Sequence, residues 1–489
     1  MRKITSRSVS TALCALLLLA NSRAAPGQDL EEAGALNTKV IELYNSGQYT
    51  EAIPLAQRAL AIREKALGPD HPDLASSLEN LASLYSTERR YSDAEQLYKR
   101  SLVIRERNVG PDHSSLAPSL NDLAFIYYNQ NRYSEAEAVH KRILSIADGS
   151  DDPVVANTLN NLAELYRSQG RFTDAEPLYM RSLAIREKMF GPDHYQIGMS
   201  LNTLAELYRY EGRYADAEPL YRRSLAILEK ALGAEHHNVA TSLNNLAELY
   251  RLQGRYVDAE PLYTRSLAIL EKEVGSDHPA VADSLNNIAG LYQDLGRYAD
   301  AESLYKRSLA IAEQSLGPDH PYSATHLNNL ATLYRAQGRY ADAELLYRRS
   351  LAIWEKALGP EHIDISSFLN NLATLYHTQG RYLDAEPLYQ RSVAILEKAL
   401  GPEHPDVANS LNNLAAMYHH QGRYSDAEPL YKRSITILEK ALGPNHPELA
   451  ANLNNLGALY QAQGRDIDAE PLYARSLMIQ KKAAQSNQK

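Results

Sequence analysis

A phrase of 42 residues repeats almost unaltered down this chain, and that period limits what the chain can fold into. Its aromatic beat falls at Tyr49, Tyr91, Tyr133, Phe172, Tyr214, Tyr256, Tyr298, Tyr340, Tyr382 and Tyr424, with Asp466 at the same place in a last copy. Every interval is 42 residues except the 39 between Tyr133 and Phe172. A fixed period of this size means a solenoid, in which one unit cannot bury its own apolar face and must stack on the next. The 489 residues exceed an ordinary single core, and the repeats absorb nearly all of them, so one elongated array is expected.

Residues 405–446 serve as the type unit. Pro405-Asp406-Val407 opens a first helix, because proline costs nothing at the first helical position and an acid favours the positive helix end. Leu411, Leu414, Ala415 and Tyr418 fall at helical spacing on one stripe. Gln421-Gly422-Arg423 stops that helix, with Gly422 supplying the left-handed residue. A second helix begins near Tyr424-Ser425-Asp426, with Asp426 as N-cap and Pro429 expected in its first turn. Ala427, Leu430, Tyr431, Ser434, Ile437 and Leu438 form its buried face, and Gly443-Pro444 ends it. The sequence thus predicts an all-α chain of about eleven helix-turn-helix units. The 33 tyrosines against four phenylalanines suggest buried rings whose hydroxyls reach partners at the edge.

Leu414-Ala415, Tyr418, Gly422, Tyr424, Ala427 and Tyr431 resemble the tetratricopeptide repeat signature. The longer second helix, ending Leu438-Glu439-Lys440-Ala441-Leu442-Gly443-Pro444, resembles the 42-residue variant of kinesin light chains and nephrocystin-like proteins. The likeness covers residues 35–485. It implies a right-handed superhelical solenoid and a concave groove lined by the first helices. It does not carry over the motor role, because no heptad coiled coil precedes the repeats.

The N-terminus reads differently. Arg2, Lys3 and Arg7 precede an apolar run from Ala12 to Ala20, and Ser22-Arg23-Ala24 offers a cleavage site, the pattern of a secretory signal peptide over residues 1–24. An organellar transit peptide is the alternative. Residues 25–34 form a short lead, 35–152 divergent repeats, 153–485 a regular array, and 486–489 a frayed tail. Export implies a periplasmic or extracellular product. The one cysteine, Cys14, lies within the signal, so the exported part has no thiol. Losing Arg2, Lys3, Arg7 and Arg23 takes the net charge from −9 to about −13. An acidic surface argues against nucleic acid and anionic lipid as partners.

The early repeats are irregular. Arg89 and Asn131 replace the helix-ending glycine, and Arg in that backbone state carries a cost. Asp148-Gly149-Ser150-Asp151-Asp152-Pro153 shortens the third link by three residues. A change of superhelical pitch is expected there; the aspartates do not match a calcium loop.

Leu-Asn-Asn-Leu recurs, and asparagine is a mediocre helix former, so its repetition needs a reason. Asn161, Asn245, Asn287, Asn329, Asn371, Asn413 and Asn455, the second of each pair, point off the apolar stripe. By resemblance, asparagines on this face clamp the backbone of an extended peptide, since a carboxamide offers donor and acceptor together. The other reading is a structural ladder between adjacent helices. On the same face stand Glu164/Arg167, Glu206/Arg209 and Glu248/Arg251, then Thr332/Arg335, Thr374/His377 and Ala416/His419/His420. A groove of mixed charge suits a polar or mixed-charge segment; solvated self-pairing of the charges is the plainer account.

A histidine recurs in every link except Asp148–Pro153, from His71 to His446. One imidazole per loop cannot close a metal site, so a cap or turn role is expected. The arginine of each Arg-Ser step is assigned to ion pairs between repeats. No phosphate loop, nucleophile elbow, His-Glu-x-x-His or reactive cysteine is present, so no enzyme, cofactor or metal is expected. The functional expectation is a scaffold for an extended protein segment. Self-association and polysaccharide binding are the alternatives.

Overall fold

The computed structural model describes residues 27–147 and 152–486. The predicted signal peptide and most of the Asp148–Asp152 link, where the pitch change was expected, lie outside the described residues. These residues fall into two compact units, one ending at Ile146 and one beginning at Ala147.

Unit 1 holds α1 (Gly27–Asn45), α2 (Tyr49–Leu67), α3 (Leu74–Thr87), α4 (Tyr91–Val109), α5 (Ala117–Asn129) and α6 (Tyr133–Ile146). Unit 2 holds α7 (Pro153–Ser168), α8 (Phe172–Phe190), α9 (Tyr195–Tyr210), α10 (Tyr214–Leu232), α11 (His237–Leu252), α12 (Tyr256–Val274), α13 (Pro279–Asp294) and α14 (Tyr298–Leu316). It continues with α15 (Pro321–Ala336), α16 (Tyr340–Leu358), α17 (Ile365–Thr378), α18 (Tyr382–Leu400), α19 (Pro405–His420), α20 (Tyr424–Leu442), α21 (Glu448–Ala462) and α22 (Asp466–Ser486). There are no strands among the described residues. Odd-numbered and even-numbered helices are the first and second members of the repeat pairs.

Each boundary follows from local chemistry. Gly422 adopts φ 73°, and the Arg423 N–H bonds the Tyr418 carbonyl at 2.9 Å to close the end of α19. Helix α20 starts at Tyr424, with Arg423 rather than Asp426 at the cap position and no side-chain cap. Asp426 instead accepts from Arg423 Nε at 2.8 Å. Pro429 is the sixth residue of α20, just beyond the first turn, where it forfeits one backbone bond. The link histidines are caps: His404 Nδ1 accepts from the Asp406 N–H at 3.1 Å, and His194, His236, His278 and His320 do the same.

Inside a pair, the buried serine of the second helix fastens it to the first. Ser434 Oγ donates to the Ala408 carbonyl at 2.7 Å, and Ser266 to Ala240 at 2.8 Å. Between pairs, the arginine of the Arg-Ser step reaches the glutamate near the end of the preceding second helix, as in Arg433–Glu397 at 2.6 Å and Arg307–Glu271 at 2.7 Å. The tyrosines work at the edge: Tyr418 donates to Glu386 at 2.8 Å, Arg423 Nη1 pairs with the same carboxylate at 3.0 Å, and its guanidinium lies 4.0 Å from the Tyr418 ring centre. The same clasp joins Tyr250, Glu218 and Arg255.

Unit 2 coils far enough to touch itself. His404 Nε2 lies 3.2 Å from the Ser168 carbonyl, and His446 Nε2 lies 3.2 Å from the Tyr210 carbonyl. Each contact joins the end of a first helix to the link six pairs further on. Since Nδ1 of both rings accepts from backbone, Nε2 carries the proton and donates. Both rings are buried, whereas the equivalent His278 is exposed. A Cβ at Gly170 would stand 2.7 Å from Pro405 Cδ, and one at Gly212 equally close to Pro447 Cδ.

Gly254 has the same backbone state, φ 71°, with nothing within 4 Å of a Cβ. Gly254→Ala is therefore expected to cost only the left-handed penalty, about 1 kcal/mol. Gly170→Ala should cost more and speed hydrogen exchange at the Asp406 amide, because Pro405 must move. In unit 1, Arg89 sits at φ 59°, so Arg89→Gly should raise stability by up to about 1 kcal/mol in urea titration.

Candidate functional site

The first helices of unit 2 pack directly on one another, α9 on α11, α11 on α13, and so on to α19 on α21. With α7, these first helices carry the asparagines and the Glu/Arg, Thr/Arg and histidine positions that the sequence assigns to one face. One offset organises it: a side chain meets the residue 43 positions later, on the next first helix.

Asparagines obey that offset. Asn287 Nδ2 donates to Asn244 Oδ1 at 2.8 Å, Asn329 to Asn286 at 3.0 Å, Asn371 to Asn328 at 3.1 Å, and Asn455 to Asn412 at 3.1 Å. Each bond uses one N–H of the donor and leaves its Oδ1 and second N–H uncommitted. These residues are half-buried, as are Asn161 and Asn413, while Asn245 is buried. The ladder breaks twice. Asn245 Nδ2 and Asn202 Oδ1, the atoms it would join, are both buried and unbonded. Asn370 turns its amide to Ser392 and Ser410, 2.7 Å from each, and so withdraws from Asn413.

Charges along the wall are largely spent on each other. Glu164 pairs with Arg167, which it binds through Nε at 2.9 Å, and also accepts from the Tyr179 hydroxyl at 2.8 Å. Burial opposes the Arg167 charge, but the bonds from Glu164 outweigh it and push the pKa up. Glu206 and Arg209 lie 3.8 Å apart. Arg167 and Arg209 flank the Tyr210 ring, 5.0 and 4.4 Å from its centre. Glu248 holds Arg251 at 2.8 Å and accepts from Tyr263 at 2.6 Å; Asp294, 43 residues on, is a second carboxylate on Arg251. Burial would raise the Glu248 carboxyl, yet the Arg251 and Tyr263 bonds hold it below the usual range.

Further along, hydroxyls and imidazoles take the place of the glutamates. Thr332 meets the Tyr347 hydroxyl at 2.8 Å and Thr374 meets that of Tyr389 at 2.9 Å. His377 Nε2 and His420 Nδ1 are 2.6 Å apart, again 43 residues apart in sequence. His377 is pushed down to about 4 by burial first and by the neighbouring His420 second. Among the described residues no group of three or more acidic, histidine or cysteine side chains is placed to hold a metal. The sequence reading missed the tyrosines Tyr179, Tyr263, Tyr347 and Tyr389, which reach the wall from second helices. Their constant spacing of 15 residues from Glu164, Glu248, Thr332 and Thr374 was the available signal.

In unit 1 the ladder position carries acids. Asp122 on α5 stands 43 residues after Glu79 on α3. Asp122 is raised to about 7, by burial first and by the Glu79 charge second. Glu79 itself is held by Arg105, Ser101 and Ser119.

These stacked helix pairs define a class of binding solenoid. The tetratricopeptide repeat family profile matches residues 31–107, 89–149, 154–230, 196–272, 238–312, 280–356, 364–440 and 406–482, and the chain belongs to that family. No curated protein matches it. Among solved structures, it is similar to BtubC (BKLC) from P. vanneervenii at 25% identity, covering 47% of this chain and 91% of that one with a TM-score of 0.40. It is also similar to a putative kinesin light chain with nearly identical TPR-like repeats from Podosopora anserina, at 30% identity over 42% and 98%, TM-score 0.35. A Rap protein complexed with competence and sporulation factor matches at 15% identity over 76% and 99%, TM-score 0.50. No helix among the described residues is long and apolar enough to cross a membrane.

A pH prediction follows from Asp122. Its folded pKa is raised, so unit 1 is stabilised below the unfolded value near 4 and loses that stability as pH climbs through about 7. Asp122→Asn should stabilise unit 1 by about 1–2 kcal/mol at pH 8 and leave it nearly unchanged at pH 4, as read by urea titration at both values.

Proposed function

We propose that this chain is an exported, non-catalytic scaffold that holds an extended polypeptide along the wall of first helices in unit 2. One observation carries the reading: the asparagine ladder runs along this wall with one N–H and the Oδ1 of each donor uncommitted. A row of carboxamides at a regular step matches the repeating donors and acceptors of an extended backbone and reads no side chain. The ladder bonds also pre-orient the amides, which lowers the entropy lost on binding. Glu164, Glu206, Glu248, Arg167, Arg209 and Arg251 act first as structural pairs and then as a polar lining. Export to a periplasm or beyond rests on the signal pattern of residues 1–24.

Photo-crosslinking from Asn329 and Asn371 positions in the native host tests the binding role. Adducts with polypeptide at these sites, and none at exposed second-helix sites such as Met180, are expected. The reverse distribution would remove the proposal. Export is checked by N-terminal sequencing of the protein recovered from the host, which should begin at Ala25.

A second reading, assembly through an outer edge, is favoured by Val257, Leu383 and Ile467. They are 87, 91 and 89% exposed at one equivalent position in the first turns of α12, α18 and α22. Sedimentation across a hundredfold concentration range, with all three changed to Ser, distinguishes it.

A further inference from the structure

Nine of the 15 histidines stand in the links, and all nine spend Nδ1 as a cap on the backbone N–H two residues on. Of the other six, His140 and His326 are buried and His237 pairs with Glu273 at 2.9 Å. The remaining three, His377, His419 and His420, gather on the wall of first helices at the ends of α17 and α19.

Their rings touch in series. The centres of His377 and His420 are 4.8 Å apart, and those of His419 and His420 are 5.8 Å apart. Tyr382 and Tyr389 lie against His377, and Tyr424 against His419. From neighbouring modules, His377 Nε2 and His420 Nδ1 converge to 2.6 Å, held by one shared proton. His420 is exposed and His377 half-buried, so solvent reaches the pair. The groups acting electrostatically on His377 and His419 are imidazole, with no carboxylate among them.

Two imidazole nitrogens aimed at one point suit a borderline transition ion, whereas Ca2+ and Mg2+ call for oxygen ligands. Two metal–nitrogen bonds of about 2.0–2.1 Å, set at roughly 90–110°, hold their nitrogens about 2.9–3.4 Å apart. The pair therefore has to open by less than about 1 Å, a small rotation for side chains at helix ends. The ring that donates the shared proton switches tautomer and carries it on its outer nitrogen. Both facing lone pairs are then available, and no net proton is lost.

We propose that His377 and His420 form a two-imidazole metal site that bridges α17 and α19, binding Cu2+ more tightly than Zn2+, with solvent completing the coordination. The preference follows the general order of divalent affinities. Two protein donors make an open site rather than a closed structural one. The site stands apart from the polypeptide-binding role and needs no ligand in the groove.

The test uses the untagged full chain, stripped with EDTA and titrated with CuCl2, ZnCl2 and MgCl2 by calorimetry at pH 7.5. Cu2+ should saturate one tightest site per chain, Zn2+ should bind the same site more weakly, and Mg2+ should not bind it. His377→Gln and His420→Gln should each weaken the tightest Cu2+ site by at least about tenfold. His419→Gln, beside the pair but outside it, should leave that affinity unchanged. The three variants should keep the wild-type circular dichroism spectrum, so that lost binding is not lost folding. Electron paramagnetic resonance of the one-to-one Cu2+ complex should show coupling to two nitrogens. Tight Cu2+ binding that survives both His377→Gln and His420→Gln, an equal loss with His419→Gln, or no saturable binding at all overturns the site and leaves the pair as a hydrogen bond between modules.

Discussion

Side-chain reach differs between the two walls of unit 2. First helices are tied by asparagine to asparagine, two short side chains that can bond only when the backbones lie close. Second helices are tied by arginine to glutamate, long side chains that span a wider gap. Short ties on one wall and long ties on the other make each pair a wedge, and stacked wedges curve. Exposed ion pairs contribute little energy singly. Here their length matters more than their strength, because it sets the spacing that the asparagines then complement.

The edge clasp has a different job. One glutamate at the start of a second helix accepts from a tyrosine and pairs with the arginine of the following turn, while that arginine stacks on the tyrosine. Each tyrosine thus buries its ring and satisfies its hydroxyl at the repeat boundary. This explains the preference for tyrosine over phenylalanine, since a phenylalanine ring would fill the same space and leave the carboxylate with one partner fewer.

Much of this was legible in the sequence. The period gave the architecture, and Gly422 and Gly443 marked the helix ends because only their backbone freedom fits those turns. The start of α20 was read too late, since Asp426 looks like a cap but spends its carboxylate on Arg423. Helical phase gave the face of the asparagines, and a ladder between adjacent helices was one of the two readings of them, but which asparagine meets which could not be derived. That pairing depends on an axial shift of one residue between neighbouring helices, which is a packing quantity and leaves no mark in composition. The same shift brings Arg251 to Asp294, whereas the residue 43 positions after Arg335 is the uncharged Thr378.

The self-contact of unit 2 has a consequence for how such an array can change. A linear stack in which every module meets only its neighbours can gain or lose an internal module with little penalty. Here the turn at Gly170 faces Pro405 and, one module on, the turn at Gly212 faces Pro447, so these modules gain a second set of neighbours. Deleting one pair anywhere from α10 to α18 would move the equivalent Pro447 under Gly170 and leave the turn at Gly212 without its link. Loss of a module therefore removes one of these turn-to-link contacts as well as a stacking interface, so the coil is held by more than its linear stack.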